Sequence, residues 1–539
     1  MSRNLALIIF SAILLSLSFS SFSAGGGSAF GGNLDILAWF SFVPFFFALE
    51  GKNRRRSFTI AYIFGFLFFL MSMYWLIYVT AAGWILLSLY QALYFAVFGL
   101  VFYYFASAKS YFFLPSAWVL FEYIRAHLFG GIGWNLLGYS QYQNLPIIQI
   151  ADITGVYGVS FLVMLMNIAV YRALKSKPIR KDLISHSVVS IFVVVVLFSA
   201  SLVYGYYVIA RGEGRQSPLK VSVIQGNIEQ CFKWDQAYRQ SIMDAYEKLS
   251  IRASLDKPDL IVWPETAVPG FLNGEEDLYL WVREVINTTK TPLLVGSPML
   301  YKPDSDECLN SAVLFSGAKD VLGRYDKLHL VVYGEFIPLE KQLPFLRTIF
   351  PVSGNFIPGK EYTVFNLAYS NVVIASPKGA KQSHNGIASV ATLPRNDSIK
   401  FSVLICFEDI FPDLVRRFVK RGAQVMINIT NDAWFMKTAA AYQHASNSVF
   451  RAVENRIPFV RSANTGLSCF IDKTGRIYSR VSGRKRDLFV EGIKTAPIYA
   501  DKNENFTFYT KYGDIFLIFC IILVLVYSFR IRRKMPLTS

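Results

Sequence analysis

Charge is scarce in this chain of 539 residues, at 17% Asp, Glu, Lys and Arg against about 25% in ordinary soluble proteins. That shortage excludes a typical soluble composition. Acidic residues are the scarcer sign, 37 against 54 Lys and Arg, which leaves a net charge of +17. Histidine occurs five times with no ligand spacing, which argues against a metal site, and no cofactor is expected. Five cysteines, Cys231, Cys308, Cys406, Cys469 and Cys520, are too few for a disulfide framework in an exported domain of this size. In a monomer, the expected state, at least one of them is unpaired, and a Cys231 to Cys308 bridge stays open. Neither an internal repeat nor a low-complexity tract is found.

What fills the chain is apolar. Hydrophobic residues make up 53%, Phe alone contributes 47, and the mean hydropathy is +0.36. The sequence therefore reads as an integral membrane protein long enough for two domains. Apolar runs near spanning length lie at 4–22, 34–50, 57–79, 84–105, 111–128, 156–172, 187–210 and 513–530. They predict about eight transmembrane helices, with 1–211 as a seven-helix membrane domain, 212–512 as one large outer domain and 513–539 as a final helix with a basic tail.

Basic residues fix the expected orientation. Arg3, Lys52 with Arg54 to Arg56, Lys109, the group from Arg172 to Lys181, and Arg530 to Lys534 all fall on one side. The opposing loops at 23–33 and 80–83 carry no charge, and 129–155 carries only Asp152. The positive-inside rule then places both termini in the cytoplasm and 212–512 outside. Most of the excess positive charge is thus a topology signal. No basic stripe interleaved with aromatics occurs in the large domain, so nucleic-acid binding is not expected.

Ser20 to Gly32 is small and polar after the first apolar run, so a cleaved signal peptide and a retained helix both fit. The loop 129–155 is Gly-rich, aromatic and too long for a simple turn. Its Trp134 and Tyr139 suit either interfacial anchoring or the lining of a lipid entry slot. Glu122 and Arg125, one turn apart, suit either mutual pairing or contact with a lipid headgroup.

Beyond a short polar linker at 211–215, strand signals appear at 220–225, 260–264, 292–295, 311–315, 401–406 and 424–429, with helical stretches at 236–253 and 409–421. This alternation predicts a layered α/β domain. The segment 377–397 reads as a solvated surface insertion. Three motifs end or follow apolar runs: Ile-Val-Trp-Pro-Glu at 261–265, Gly-Arg-Tyr-Asp-Lys at 323–327 and Leu-Ile-Cys-Phe-Glu at 404–408. Strand ends can gather their Glu265, Lys327 and Cys406 in one pocket. A thiol at a strand-to-helix junction feels the helix N-terminus, which favours thiolate. Glu265 is suited to accept the thiol proton and return it to a leaving group.

In these motifs and their order, the chain resembles the nitrilase (carbon-nitrogen hydrolase) superfamily. With its membrane segments, it resembles that superfamily's membrane branch, the apolipoprotein N-acyltransferase family. The resemblance implies a four-layer α/β sandwich outside the membrane, a retained first helix and a Glu265, Lys327, Cys406 triad. It implies that Lys327 stabilises the oxyanion and that Glu335 positions the other groups. Trp234, Asn310, Phe407 and Trp134 carry over as substrate-binding positions, Glu408 as a supporting residue, and the 430–435 run as a further family position. Phe407 stands where family members often have Tyr, so any role there is steric or aromatic.

The implied reaction moves a fatty acyl chain from a phospholipid, commonly phosphatidylethanolamine, to the free α-amino group of a diacylglyceryl-cysteine on an apolipoprotein. It passes through a thioester on Cys406, in the inner membrane of a bacterium. A membrane-tethered amidase or nitrilase, and a noncatalytic lipid transporter or scaffold, are the alternatives.

Overall fold

The computed structural model describes residues 3–19, 34–106, 110–175, 184–211, 218–303, 305–316, 321–337, 340, 342, 344–349, 354–371, 395–483, 488–500 and 505–532. Several features named above lie outside them: the 20–32 stretch, Lys109, Lys177, Arg180, Lys181, the linker from 212, most of the 377–397 insertion, Arg533 and Lys534.

The N-terminal part is helical, and each apolar run coincides with a helix or with two consecutive helical pieces. Among the described residues three helices are long and apolar enough to cross a membrane: Ala81–Phe105, Val156–Lys175 and, within Ile184–Ala210, the part Ile191–Ala210. The expectation of eight full-length helices is corrected to this extent. The other runs are shorter or broken for identifiable reasons. The second divides into a 3₁₀ turn, Asp35–Trp39, and a short helix, Val43–Leu49, with Pro44 in its first turn. The third stops at Ser72 and continues as a 3₁₀ turn, Tyr74–Tyr78. Its start is sharp because the Asn53 side chain accepts the Arg56 N–H at 3.0 Å.

The part that follows is built on two sheets. The first has strand order β13-β1-β2-β3-β4-β5 with β6 on β4, formed by β1 (Leu219–Gln225), β2 (Leu260–Val262), β3 (Leu293–Leu300), β4 (Glu307–Phe315), β5 (Val321–Asp326), β6 (Asn355–Phe356) and β13 (Gly492–Ile498). The second runs β12-β11-β10-β9-β8-β7, from β7 (Phe365–Asn371), β8 (Arg395–Ile405), β9 (Val425–Thr430), β10 (Phe459–Ala463), β11 (Cys469–Ile471) and β12 (Ile477–Arg480).

Strand periodicity divides the strands of the first sheet between two cores. Val221, Val223, Leu260 and Val262 face the second sheet and join Phe401, Val403, Val425 and Ile427. Ile224, Ile261 and Trp263 point the other way, against Ile242, Tyr246 and Leu249 of the helix Arg239–Ser254 and Trp281 and Val282 of the helix Glu276–Thr289. The helices Pro412–Lys420 and Ala440–Asn455 accompany the second sheet.

Polar ties join the helical part to this layered domain. Glu454 accepts the Val156 N–H at 3.0 Å, so a carboxylate from the layered domain caps the helix Val156–Lys175. Arg456 pairs with Asp152 at 2.7 Å, and Gln149 donates to the Thr474 carbonyl at 2.8 Å. The ends of β2, β5 and β8 therefore stand in a fixed relation to the loop 129–155.

Candidate active site

Glu265, Lys327 and Cys406 each lie just beyond a strand, at the ends of β2, β5 and β8. Gly296 in β3 makes the first position possible, because a Cβ there would stand 2.1 Å from the Pro264 carbonyl. The Glu265 side chain is 6% exposed. Its Oε1 accepts from Asn310 Nδ2 at 2.8 Å and lies 3.6 Å from Lys327 Nζ. Lys327 Nζ is 2.8 Å from Glu335 Oε1, and the same Asn310 nitrogen reaches Glu335 at 3.1 Å. Glu335 is itself fixed by the Val331 N–H at 2.8 Å. One amide on β4 thus sets the spacing of two carboxylates around one ammonium. Burial works against the charge on Lys327, but Glu335 and then Glu265 outweigh it and raise its pKa. The group stays cationic.

Cys406 adopts φ +57° at the first residue of a five-residue 3₁₀ helix, Cys406–Ile410. Such a conformation is costly for a residue with a Cβ and persists where surrounding contacts enforce it. Its carbonyl accepts from Asn428 Nδ2 at 2.9 Å, and His444 Nε2 lies 3.3 Å away. The expectation of a helix-stabilised thiolate is not met in the resting site. Burial pushes the thiol well above its ordinary value, Glu265 pushes in the same direction, and Lys327 opposes them only in part. The helix that begins here is too short to reverse this.

Glu408 is fully buried and gathers four donors. Ile405, Leu328 and His329 give backbone N–H groups at 2.8, 2.7 and 3.0 Å, and the Tyr325 hydroxyl lies 2.9 Å from both carboxylate oxygens. It joins the turn that carries Cys406 to the segment that carries Lys327. Burial raises its pKa to about 7. Phe407 places its ring 5.4 Å from Lys327 Nζ, an aromatic contact with the cation.

Trp234 is 46% exposed and is not brought into this cluster. Its neighbour Lys233 is: 2% exposed, it donates to the Glu265 carbonyl at 3.0 Å. Motif reading gives no weight to that lysine, because the adjacent aromatic is the conspicuous residue.

Trp134 is buried rather than interfacial. Its Nε1 donates to Gln443 Oε1 at 3.0 Å, as does Trp75 Nε1, and its ring centroid lies 5.4 Å from that of His444. Tyr139 is buried as well, edge-on to Phe450. The anchor reading is corrected for both: they are internal wedges between the 129–155 loop and the layered domain. Glu122 and Arg125 neither form an ion pair with each other nor reach out to lipid. Arg125 donates to the carbonyls of Trp134, Ile132 and Asn135 at 2.8, 3.2 and 3.3 Å, and Glu122 accepts the Leu137 N–H at 2.6 Å. Together they grip the loop.

A buried network beside the nucleophile is absent from the motif reading. His444 Nδ1 is 2.8 Å from Asp432 and Nε2 3.1 Å from Asp409. Arg461 Nη1 is 2.8 Å from Asp409. Burial disfavours a charged imidazole, but Asp409 and then Asp432 outweigh it, and the pKa rises to about 9. Cys231 and Cys308 are free thiols, so no bridge joins them.

The sequence matches two family profiles: apolipoprotein N-acyltransferase N-terminal domain over 11–169 and carbon-nitrogen hydrolase over 220–502. An apolipoprotein N-acyltransferase of Geobacter metallireducens is 36% identical, over 99% of this chain and 96% of that protein. Another, of Chlorobaculum tepidum, is 28% identical over 99% and 98%. Among solved structures, an amidase from Nesterenkonia sp. aligns at 18% identity and a TM-score of 0.36, covering 57% of this chain and 97% of that one.

Proposed function

The chain belongs to the apolipoprotein N-acyltransferase family, and from that premise we propose that it transfers a fatty acyl chain from a membrane phospholipid to the α-amino group of a diacylglyceryl-cysteine. Glu265 takes the Cys406 proton as the thiol attacks the ester carbonyl. Lys327 faces the oxygen on which charge develops. Glu265 then returns the proton to the departing glycerol oxygen, which leaves a thioester on Cys406. The amine of the acceptor attacks that thioester in the second step. Glu335 and Asn310 hold Glu265 and Lys327, Glu408 holds the nucleophile turn, and Phe407 backs the cation. Trp134 and Trp234 are assigned to substrate binding, Trp134 from the buried loop against His444 and Trp234 from the exposed segment next to Lys233.

The observation that carries this reading is the joint between chemistry and membrane loop. Trp134 packs on the ring of His444, and the Nε2 edge of that ring reaches the Cys406 carbonyl at 3.3 Å. A hydrolase of small soluble amides has no need for that joint. The eight apolar segments are taken to cross a bacterial inner membrane with both termini cytoplasmic and the domain from 212 to 512 outside, where both lipid substrates reach it.

Intact-mass measurement of the protein after incubation with phosphatidylethanolamine vesicles tests the reading. One added acyl chain on wild type and none on Cys406→Ala is expected. An unmodified wild type would count against it.

A further inference from the structure

Lys233 occupies a position that the two-step chemistry leaves unused. It sits in Phe-Lys-Trp-Asp at 232–235, 2% exposed, and its Nζ makes one hydrogen bond, to the Glu265 carbonyl at 3.0 Å. No carboxylate lies within 4.0 Å of that nitrogen among the described residues. An ammonium carries three donors; here two would be buried without acceptors and without a counter-charge, which is costly. A neutral amine fits better, with one N–H given to Glu265 and a lone pair left over. Burial accordingly draws its pKa down to about 7, with Glu265 and Cys406 opposing. Those two are the titratable groups that act on it. Lys327 and Glu335 stand beyond Glu265, and Glu229 and Asp235 on its own loop point to solvent.

The acyl-transfer reading, on which this inference rests, creates a need for such a group. An α-amino group with an ordinary pKa near ~8 arrives largely as ammonium at neutral pH. It must lose one proton before it can attack and a second as it attacks. Glu265 serves only one of these.

We propose that Lys233 is the base that removes the first proton from the acceptor ammonium. The Lys233 amine takes that proton, and the freed nitrogen lone pair forms the C–N bond at the thioester carbonyl. Collapse breaks the C–S bond, while Glu265 takes the second N–H proton and passes it to the Cys406 sulfur. Lys233 returns its proton to solvent after the product leaves.

Full-length protein carrying Lys233→Arg separates this role from simple positioning, since Arg keeps a donor for the Glu265 carbonyl and cannot act as a base. Thioester formation from phospholipid, followed by intact mass, should stay near the wild-type rate. Discharge by a free-amine diacylglyceryl lipopeptide should slow by roughly 100-fold near neutral pH. The defect should shrink toward about pH 9, where the acceptor amine is free without help. Lys233→Gln, which carries no buried charge and keeps an N–H donor for the Glu265 carbonyl, should give the same split if Arg does not fit. Equal losses in both half-reactions, or a discharge defect that is the same at every pH, would overturn the proposal. A wild type that forms no thioester would overturn the acyl-transfer reading itself, and this inference with it.

Discussion

Leu328 donates its backbone N–H to Glu408 at 2.7 Å, so the residue after the site lysine is tied to the residue two beyond the site cysteine. The distance between cation and nucleophile therefore depends on one carboxylate. Glu408→Gln substitutes an N–H₂ group for one of two acceptors that together meet four donors, and at least one buried donor is left unpaired. The expected cost is about 1–3 kcal/mol of stability, with thioester formation slowed by roughly 100-fold. Thermal melting and single-turnover acylation check the two parts.

Glu265→Gln and Lys327→Ala should each fail in the first step, by roughly 100-fold or more. The thioester should be absent in both when intact mass is measured after phospholipid exposure. A variant that accumulates thioester and fails only on addition of acceptor would reassign that residue to the second step.

Gln443→Leu removes the acceptor shared by Trp75 and Trp134 Nε1. Two buried indole donors then lose their partner, which should destabilise the joint by roughly 2–5 kcal/mol. Melting in detergent micelles should shift downward, and tryptophan fluorescence should report the loosened pair.

His444 makes stability depend on pH. Its pKa is raised from 6.5 unfolded to about 9 folded, so the folded state binds the proton more tightly. The stability that it contributes is complete below pH 6.5 and is lost as pH rises through about 9. His444→Gln should flatten the decline across that window. Urea titrations at a series of pH values measure it.

The parts of the fold that were legible in the sequence are those where one strand or helix carries its own signal. Ile261 to Glu265 and Leu404 to Glu408 announce themselves because an apolar run ends on a charged or nucleophilic residue. The helix Ala440–Asn455 does not. Its His444, Ser448, Arg451 and Glu454 are buried and break the apolar period, and their partners, among them Asp409 and Val156, are far away in the chain. For the same reason Glu122 and Arg125 look like a local pair, although their real partners are the backbone groups of the following loop. Broken helices such as Asp35–Trp39 with Val43–Leu49 keep the composition of a span, and hydropathy does not register the break. Lys233 is hidden because burial of a lysine is a property of the folded site.

Wild-type protein given phospholipid alone, and then an acceptor, tests the central claim most directly. The acyl-enzyme should accumulate, because water must be a poor second substrate for a transferase. A diacylglyceryl lipopeptide with a free amine should discharge it, and an N-blocked one should not. Rapid release of free fatty acid with no acceptor present would contradict the account and favour a hydrolase.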